Sequence, residues 1–176
     1  MKVCKFEKIK DEDEMKQVIN CIQKEHPYVA VVPILAQLQE WLQAISISWF
    51  HEEDEVSHTT VNAIEAYCCT LANHLITDSH LNQEIKNRIL ECIKKIHILV
   101  EDKADLLIDK MIKAEVYGLS SDLFTYCLRQ QGLRAQTLDT GKLIQINLER
   151  KPDIPYIQES IFLSPHFPFA EMCMVK

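Results

Sequence analysis

Glycine is nearly absent from this chain of 176 residues, which contains only Gly118, Gly132 and Gly141. Average usage of about 7% would give roughly twelve glycines. Glycine reaches positive φ without strain and lets backbone N–H groups approach a phosphate closely. Walker loops, dinucleotide-binding turns and nucleophile elbows all depend on such glycines. The sequence therefore excludes these sites and leaves no obvious phosphate-binding turn.

The composition is that of one globular domain, residues 1–176. Apolar residues make up 47% of the chain, which is long enough for a substantial core. A formal charge of −7 argues against a nucleic-acid or anionic-membrane surface. The seven cysteines form no Cys-x-x-Cys motif, as is usual in a reducing compartment. Since no signal peptide or membrane span is visible, we expect a cytoplasmic protein.

The N-terminal part alternates between β-prone and helical patterns. Residues 2–6 and 28–32 are short, β-prone segments, and the second fits a buried parallel strand. Between them, Met15, Val18 and Ile22 recur at helical spacing behind an acidic first turn. Strand, helix and strand predict a βαβ unit with a right-handed crossover.

The central part is helical. Amphipathic patterns predict a helix over 34–50 and then a helical insertion over residues 52–117, with helices near 57–76, 79–100 and 102–116. A separate helix is predicted from Ser120 or Ser121 to Gln131, with Gly132 in the position of a C-terminal cap.

The C-terminal part returns to a β pattern. Strands are predicted at 133–138, 143–148 and 160–164, followed by an aromatic tail. The expected fold class is α/β, with a mainly parallel sheet, flanking helices and the helical insertion between strands 2 and 3.

One acidic segment has the residue types of a metal site. His51, Glu55 and His58 could line one helical face at positions i, i+4 and i+7, and borderline metals accept imidazole and carboxylate ligands. The segment is similar to His-Glu-x-x-His, but Glu55 stands in place of the second histidine. Acidic runs beside helix N-termini are common on solvated surfaces. We favour a solvated loop and expect no metal.

Lys5 is the one residue placed as a phosphate ligand would be. It lies at the end of the first predicted strand, before the turn into the first helix. A lysine there can reach a nucleotide's β- or γ-phosphate as a point charge. Taken alone, a lysine at a strand end is usually a surface residue.

Several segments resemble aspartate kinases of the amino-acid kinase family. The opening Met1-Lys-Val-Cys-Lys-Phe-Glu-Lys-Ile-Lys resembles the family's Lys-Val-x-Lys-Phe-Gly-Gly-Thr-Ser. Val116-Tyr-Gly-Leu-Ser-Ser looks like its Gly-Glu-Leu-Leu-Ser segment, and Ser160-Ile-Phe-Leu-Ser-Pro-His-Phe resembles the strand leading into Gln-Gly-Phe. The resemblance implies the N-terminal, substrate-side lobe of an aspartate kinase, truncated and degenerate.

The positions that carry function in the family have diverged. Lys5 matches the lysine that contacts ATP phosphate, whereas residues 7–10 replace the Gly-Gly-Thr-Ser turn. Tyr117 stands where the family has a glutamate that helps hold aspartate. Ser120 matches a family serine, and it would also suit a helix cap. The resemblance therefore leaves Lys5, Tyr117 and Ser120 as relics of an ATP and substrate site, with no confident catalytic residue.

The leading hypothesis is a non-catalytic, aspartokinase-like binding or regulatory domain, a pseudoenzyme that needs no cofactor. The alternative is an aspartate kinase that transfers phosphate from ATP, with Mg, to the aspartate side chain and works only with a partner chain. A metal-binding protein that uses the 51–58 segment is the third reading. We also expect a homodimer, formed through the helical insertion or through the tail residues Phe162, Phe167, Phe169 and Met172. The alternative is a monomer in which the tail folds back as a plug on its own domain.

Overall fold

The computed structural model describes residues 3–27, 29–102, 107–138 and 172–175, the last of these as backbone only. The elements follow in the order β1 (Val3–Lys5), α1 (Glu12–Glu25), β2 (Val29–Val31), α2 (Ala36–Phe50), α3 (Asp54–Leu75), α4 (Ser79–Glu101), α5 (Ile108–Gln130), β3 (Ala135–Leu138) and β4 (Met172–Val175). The described chain is mostly helical with a small parallel sheet.

The sheet contains four described strands in the order β1-β2-β4-β3, and every neighbouring pair is parallel. The predicted parallel pairing of the first two strands is confirmed, with Val3 opposite Val29 and Lys5 opposite Val31. The strand predicted at 133–138 is observed as β3. It does not pair with β2, because β4 lies between them. The strands predicted at 143–148 and 160–164 lie outside the described residues.

The strand β4 corrects the prediction of a C-terminal tail. Met172, expected to plug the domain or to dock on a second copy, begins a strand in register with Ala135 of β3. The phenylalanines of that tail prediction, Phe162, Phe167 and Phe169, lie outside the described residues. The sequence pattern did not indicate β4, because only one of its four residues, Val175, is β-branched and none is aromatic.

Helix α1 forms where local signals agree. Asp11 is its N-cap, and the Asp11 carboxylate accepts a hydrogen bond from the Glu14 N–H at 2.9 Å. The buried face contains Met15, Val18, Ile19 and Ile22, as the helical spacing predicted. His26 ends the helix in the left-handed region at φ 43°, and Pro27 follows it.

Helices α2 to α5 pack side by side into a bundle. Their apolar stripes meet in one core that is continuous with the residues packed on the sheet. The predicted helices near 57–76 and 79–100 match α3 and α4 closely. Between the two helices, the Asp78 carboxylate accepts a hydrogen bond from the Leu81 N–H at 2.9 Å and caps α4.

The predicted helix break near residues 117–120 is wrong, because α5 runs without interruption from Ile108 to Gln130. A glycine inside a helix costs roughly 1 kcal/mol relative to alanine. Gly118 is nevertheless buried in α5, where Leu119, Leu123 and Phe124 are buried on the same helix. Packing of these side chains outweighs the local preference for a break.

The division of the chain into one domain with an insertion over residues 52–117 stays a prediction, although α3, α4 and the first half of α5 fall in that range. Within the described ranges, no helix combines the length and the apolar composition needed to cross a bilayer.

Candidate functional site

The candidate site lies where β1 ends and the chain turns towards α1. Lys5 is the last residue of β1 and is exposed. The next residue, Phe6, donates its backbone N–H to the Val31 carbonyl at 3.0 Å, which extends the pairing with β2 by one bond. The Lys5 side chain forms no hydrogen bond or ion pair with the described residues. Its ammonium group is therefore available to an anion at this edge of the sheet.

The turn after Lys5 is anchored by an apolar side chain. Ile9 is fully buried, and it forms an isolated parallel bridge with Leu35 in the connection after β2. The Ala36 N–H at the start of α2 donates to the Ile9 carbonyl at 2.9 Å. The sequence resemblance places Ile9 at the threonine of the family's Gly-Gly-Thr-Ser turn. A core side chain thus stands where the family has a polar one.

Backbone N–H groups near this turn already donate hydrogen bonds to carboxylates. The Lys10 N–H donates to a Glu14 carboxylate oxygen at 2.7 Å, and the Glu14 N–H donates to Asp11. Lys16 and then His74, by hydrogen bonding, lower the pKa of the Glu12 carboxyl. Glu12 therefore stays ionised at neutral pH. The helix N-terminus, which would otherwise attract a phosphate, carries its own negative charges.

A shallow depression of about 530 Å³ lies between this turn and α1. Lys8, Lys10 and Glu14 line its polar side, and Phe6 and Val18 contribute apolar surface. The Lys10 ammonium lies 3.6 Å from the Glu14 carboxylate. One of the two lysines that line the depression is therefore already paired. Lys5 does not line this depression, which consequently does not reproduce a lysine-centred phosphate site.

The other two predicted site residues lie on α5. Tyr117 is exposed, whereas Ser120 is buried, and the Ser120 hydroxyl has no hydrogen-bond partner among the described residues. The expectation that Ser120 caps a helix is wrong, because it lies in the middle of α5. No hydrogen bond or ion pair among the described residues joins Lys5 to Tyr117 or Ser120, and their assignment as relics of an ATP and substrate site stays a prediction.

The acidic segment after α2 is only partly a loop. His51 follows α2 directly, whereas Glu55 and His58 lie in the first turns of α3, which begins at Asp54. In the part of the chain that the structure describes, no three histidine, cysteine, aspartate or glutamate side chains are grouped to hold a metal ion. The His58 side chain instead contacts His97 on α4.

The His58 and His97 side chains form a contact that the sequence analysis missed. Their Nδ1 atoms lie 2.7 Å apart and the rings are stacked, with centroids separated by 5.0 Å. His97 Nε2 also lies 3.1 Å from the Asn62 side-chain oxygen. Burial, and then the charge of His58, lower the pKa of His97. One signal could have revealed the pair: an antiparallel hairpin of helices that turns at Thr77 and Asp78 places positions 58 and 97 opposite each other.

Comparison with known proteins supports the fold and goes no further. No protein-family model matches the sequence, and no curated protein matches it. Solved structures do match. A crystal structure of Escherichia coli aspartokinase III in complex with aspartate and ADP (R-state) gives a TM-score of 0.75 at 17% identity, covering 98% of this chain and 40% of that chain. A second, in complex with lysine and aspartate (T-state), gives a TM-score of 0.78 at 18% identity, with the same coverage.

The chain spans 40% of the length of these aspartokinase structures. An identity of 17–18% carries fold information only. The resemblance of the opening residues to aspartate kinases is therefore supported at the level of architecture. The described chain has an aspartokinase-like fold.

Proposed function

We propose that this chain is a non-catalytic, aspartokinase-like domain that acts by binding a protein or a small ligand. The burial of Ile9 carries the proposal. In the aspartate kinases that the sequence resembles, the turn after the first strand is Gly-Gly-Thr-Ser. In this chain its counterpart is joined to the connection after β2 by the Ile9–Leu35 bridge and the Ala36 hydrogen bond.

The chemistry of phosphoryl transfer explains why this change matters. Such catalysis depends on positioning and on neutralising charge with backbone donors, cations and metal ions. Here the Lys10 and Glu14 N–H groups bind carboxylates of the same turn, and Glu12 and Asp13 add negative charge. Lys5, at the end of β1, matches the family lysine that contacts ATP phosphate. A single exposed ammonium group does not position a nucleotide.

One observation favours the alternative, an aspartate kinase that works with a partner chain. The Lys5 side chain is exposed at the sheet edge, so a second polypeptide could complete an ATP and Mg site around it. Under this alternative Tyr117 and Ser120 mark the substrate side. Dimerisation and a cytoplasmic location remain predictions of the sequence.

An assay for aspartyl phosphate tests whether the chain is catalytic without a partner. The full chain is incubated with Mg-ATP and aspartate, and any acyl phosphate is trapped with hydroxylamine. We expect no product above the level given by Lys5→Ala. Lys8→Ala is the matched control, because Lys8 lies in the same turn but does not occupy the family's lysine position. Product that Lys5→Ala abolishes and Lys8→Ala preserves contradicts the non-catalytic proposal and shows that the chain needs no partner for phosphoryl transfer.

A further inference from the structure

Three cross-helix contacts bring four helix ends together on the side of the bundle away from the α5–β3 connection. The Ser48 and Ser57 hydroxyls lie 2.6 Å apart and join α2 to α3. The His58–His97 contact joins α3 to α4, and a hydrogen bond from Ser46 to Asp109 joins α2 to α5. We call this region, residues 46–58, 97–102 and 107–111, the distal bundle end.

Exposed apolar side chains concentrate at the distal bundle end. Phe50 is 72% exposed, Ile98 is 66% exposed and Ile47 is 61% exposed. Six of the nine large apolar side chains that are exposed in the described part of the chain lie here: Ile47, Phe50, Val56, Ile98, Leu107 and Met111. The other three, Val3, Leu90 and Tyr117, lie apart on β1, α4 and α5. Concentrations of exposed apolar surface usually mark an interaction site, whereas single exposed residues do not.

The charge of the same region is strongly acidic. It contains seven carboxylates, which are Glu52, Glu53, Asp54, Glu55, Glu101, Asp102 and Asp109, and one lysine, Lys110. Just beyond it, Lys113 forms an ion pair with Asp109. A second copy of this chain would bring its own carboxylates against these, and an anionic lipid surface would be repelled. Charge complementarity therefore selects a positively charged occupant.

We propose that the distal bundle end docks a basic amphipathic segment of a partner protein. Apolar side chains of that segment would cover Phe50, Ile98 and Ile47, and its lysine or arginine side chains would face the acidic run that begins at Glu52. An amphipathic helix that places its apolar face on such a surface is a recurrent mode of recognition. The inference rests on the proposed binding function and identifies the chemistry of the partner.

The test uses the full chain and a fluorescein-labelled helical peptide of lysine and leucine with one apolar face. A peptide with glutamate in place of every lysine is the charge control. Anisotropy at about 150 mM salt limits nonspecific attraction between exposed charges. We expect saturable binding of the lysine peptide alone. The double variant Phe50→Ser/Ile98→Ser should weaken it about tenfold or more, which corresponds to roughly 1.4 kcal/mol.

The matched control is Leu90→Ser, since Leu90 is also exposed on α4 but lies outside the distal bundle end. Binding by Leu90→Ser should equal that of the unmodified chain, and circular dichroism should show all variants folded. Equal binding of both peptides, or an unchanged affinity in the double variant, overturns the proposal. So does light scattering that shows a dimer which the double variant dissociates, because the occupant is then a second copy. Since the assay contains no nucleotide, its failure is separate from any failure of the non-catalytic assignment.

Discussion

Ile9 and Leu35 form a parallel bridge that ties the connection after β1 to the connection after β2. Both side chains are buried. In the resemblance to aspartate kinases, Ile9 replaces the threonine of the Gly-Gly-Thr-Ser turn beside the phosphate site. The bridge and the burial of the Ile9 side chain anchor this turn to the core.

Truncating Ile9 should destabilise the fold. Removing most of a fully buried isoleucine costs the transfer free energy of the lost methyl and methylene groups and leaves a cavity. We expect Ile9→Ala to lower the free energy of unfolding by about 2–5 kcal/mol, measured by urea denaturation. Glu7→Ala, an exposed change in the same turn, should stay within about 0.5 kcal/mol. If the two variants unfold alike, Ile9 is not the anchor of the turn.

Gln130 should stabilise the α3–α4 turn. Its side-chain oxygen accepts hydrogen bonds from the Thr77 and Asp78 N–H groups, and its side-chain nitrogen donates to the Leu75 carbonyl at 2.9 Å. Gln130→Ala removes all of these bonds, and we expect a loss of about 1–3 kcal/mol in the free energy of unfolding. Gln131→Ala is the neighbouring control. Equal stability of the two variants would show that water replaces the Gln130 bonds without cost.

The His58–His97 contact should make the stability depend on pH. Burial, and then the charge of His58, lower the pKa of His97 in the folded chain, so the unfolded chain binds the proton more readily. The contribution of His97 is therefore full above its unfolded pKa of about 6.5 and is lost as the pH falls through that value towards the folded pKa.

Urea denaturation across this window measures the effect. His97→Gln should flatten the decline in stability below neutral pH, whereas His80→Gln should leave it unchanged. His80 is exposed, and its ring lies only near Glu84 of the same helix. An identical pH dependence in the His97 variant and in the unmodified chain contradicts this account of the pair.

Cysteine reactivity should follow burial. Desolvation raises the pKa of Cys92 and of Cys127 to about 12, and Cys21 is exposed. Because the thiolate is the nucleophile, iodoacetamide at neutral pH should label Cys21 first and reach Cys92 and Cys127 only after urea is added. Peptide mass spectrometry gives the order of labelling. Early modification of Cys92 or Cys127 in the folded chain would show that the bundle opens locally.

The sequence predicted elements whose signals are local. Asp11 at a cap and Met15 and Val18 on one face agree with each other, and the structure confirms α1. The same holds for α3 and α4, which have long apolar stripes and Asp78 as a cap between them. An apolar stripe that repeats over many helical turns is incompatible with a strand. These helices could therefore be predicted without knowledge of their tertiary contacts.

Elements that depend on distant contacts were not predictable. The sequence predicted two separate helices on either side of residues 117–119, but α5 continues because the side chains around Gly118 are buried in the core. The strand β4 pairs with β2 and β3, which lie far from it in sequence. The site shows the same limit. The absence of a glycine turn is visible in the sequence, whereas the bridge between Ile9 and Leu35 is visible only in the structure.

Calorimetric titration of the full chain with Mg-ATP shows directly whether the turn after Lys5 binds a nucleotide. We expect no saturable heat at millimolar nucleotide, because Ile9 anchors the turn after Lys5 to the core and nearby backbone N–H groups already donate to carboxylates. Lys5→Ala and Lys8→Ala should then behave like the unmodified chain. Saturable binding that Lys5→Ala abolishes and Lys8→Ala retains would contradict the non-catalytic assignment and establish Lys5 as a working phosphate ligand.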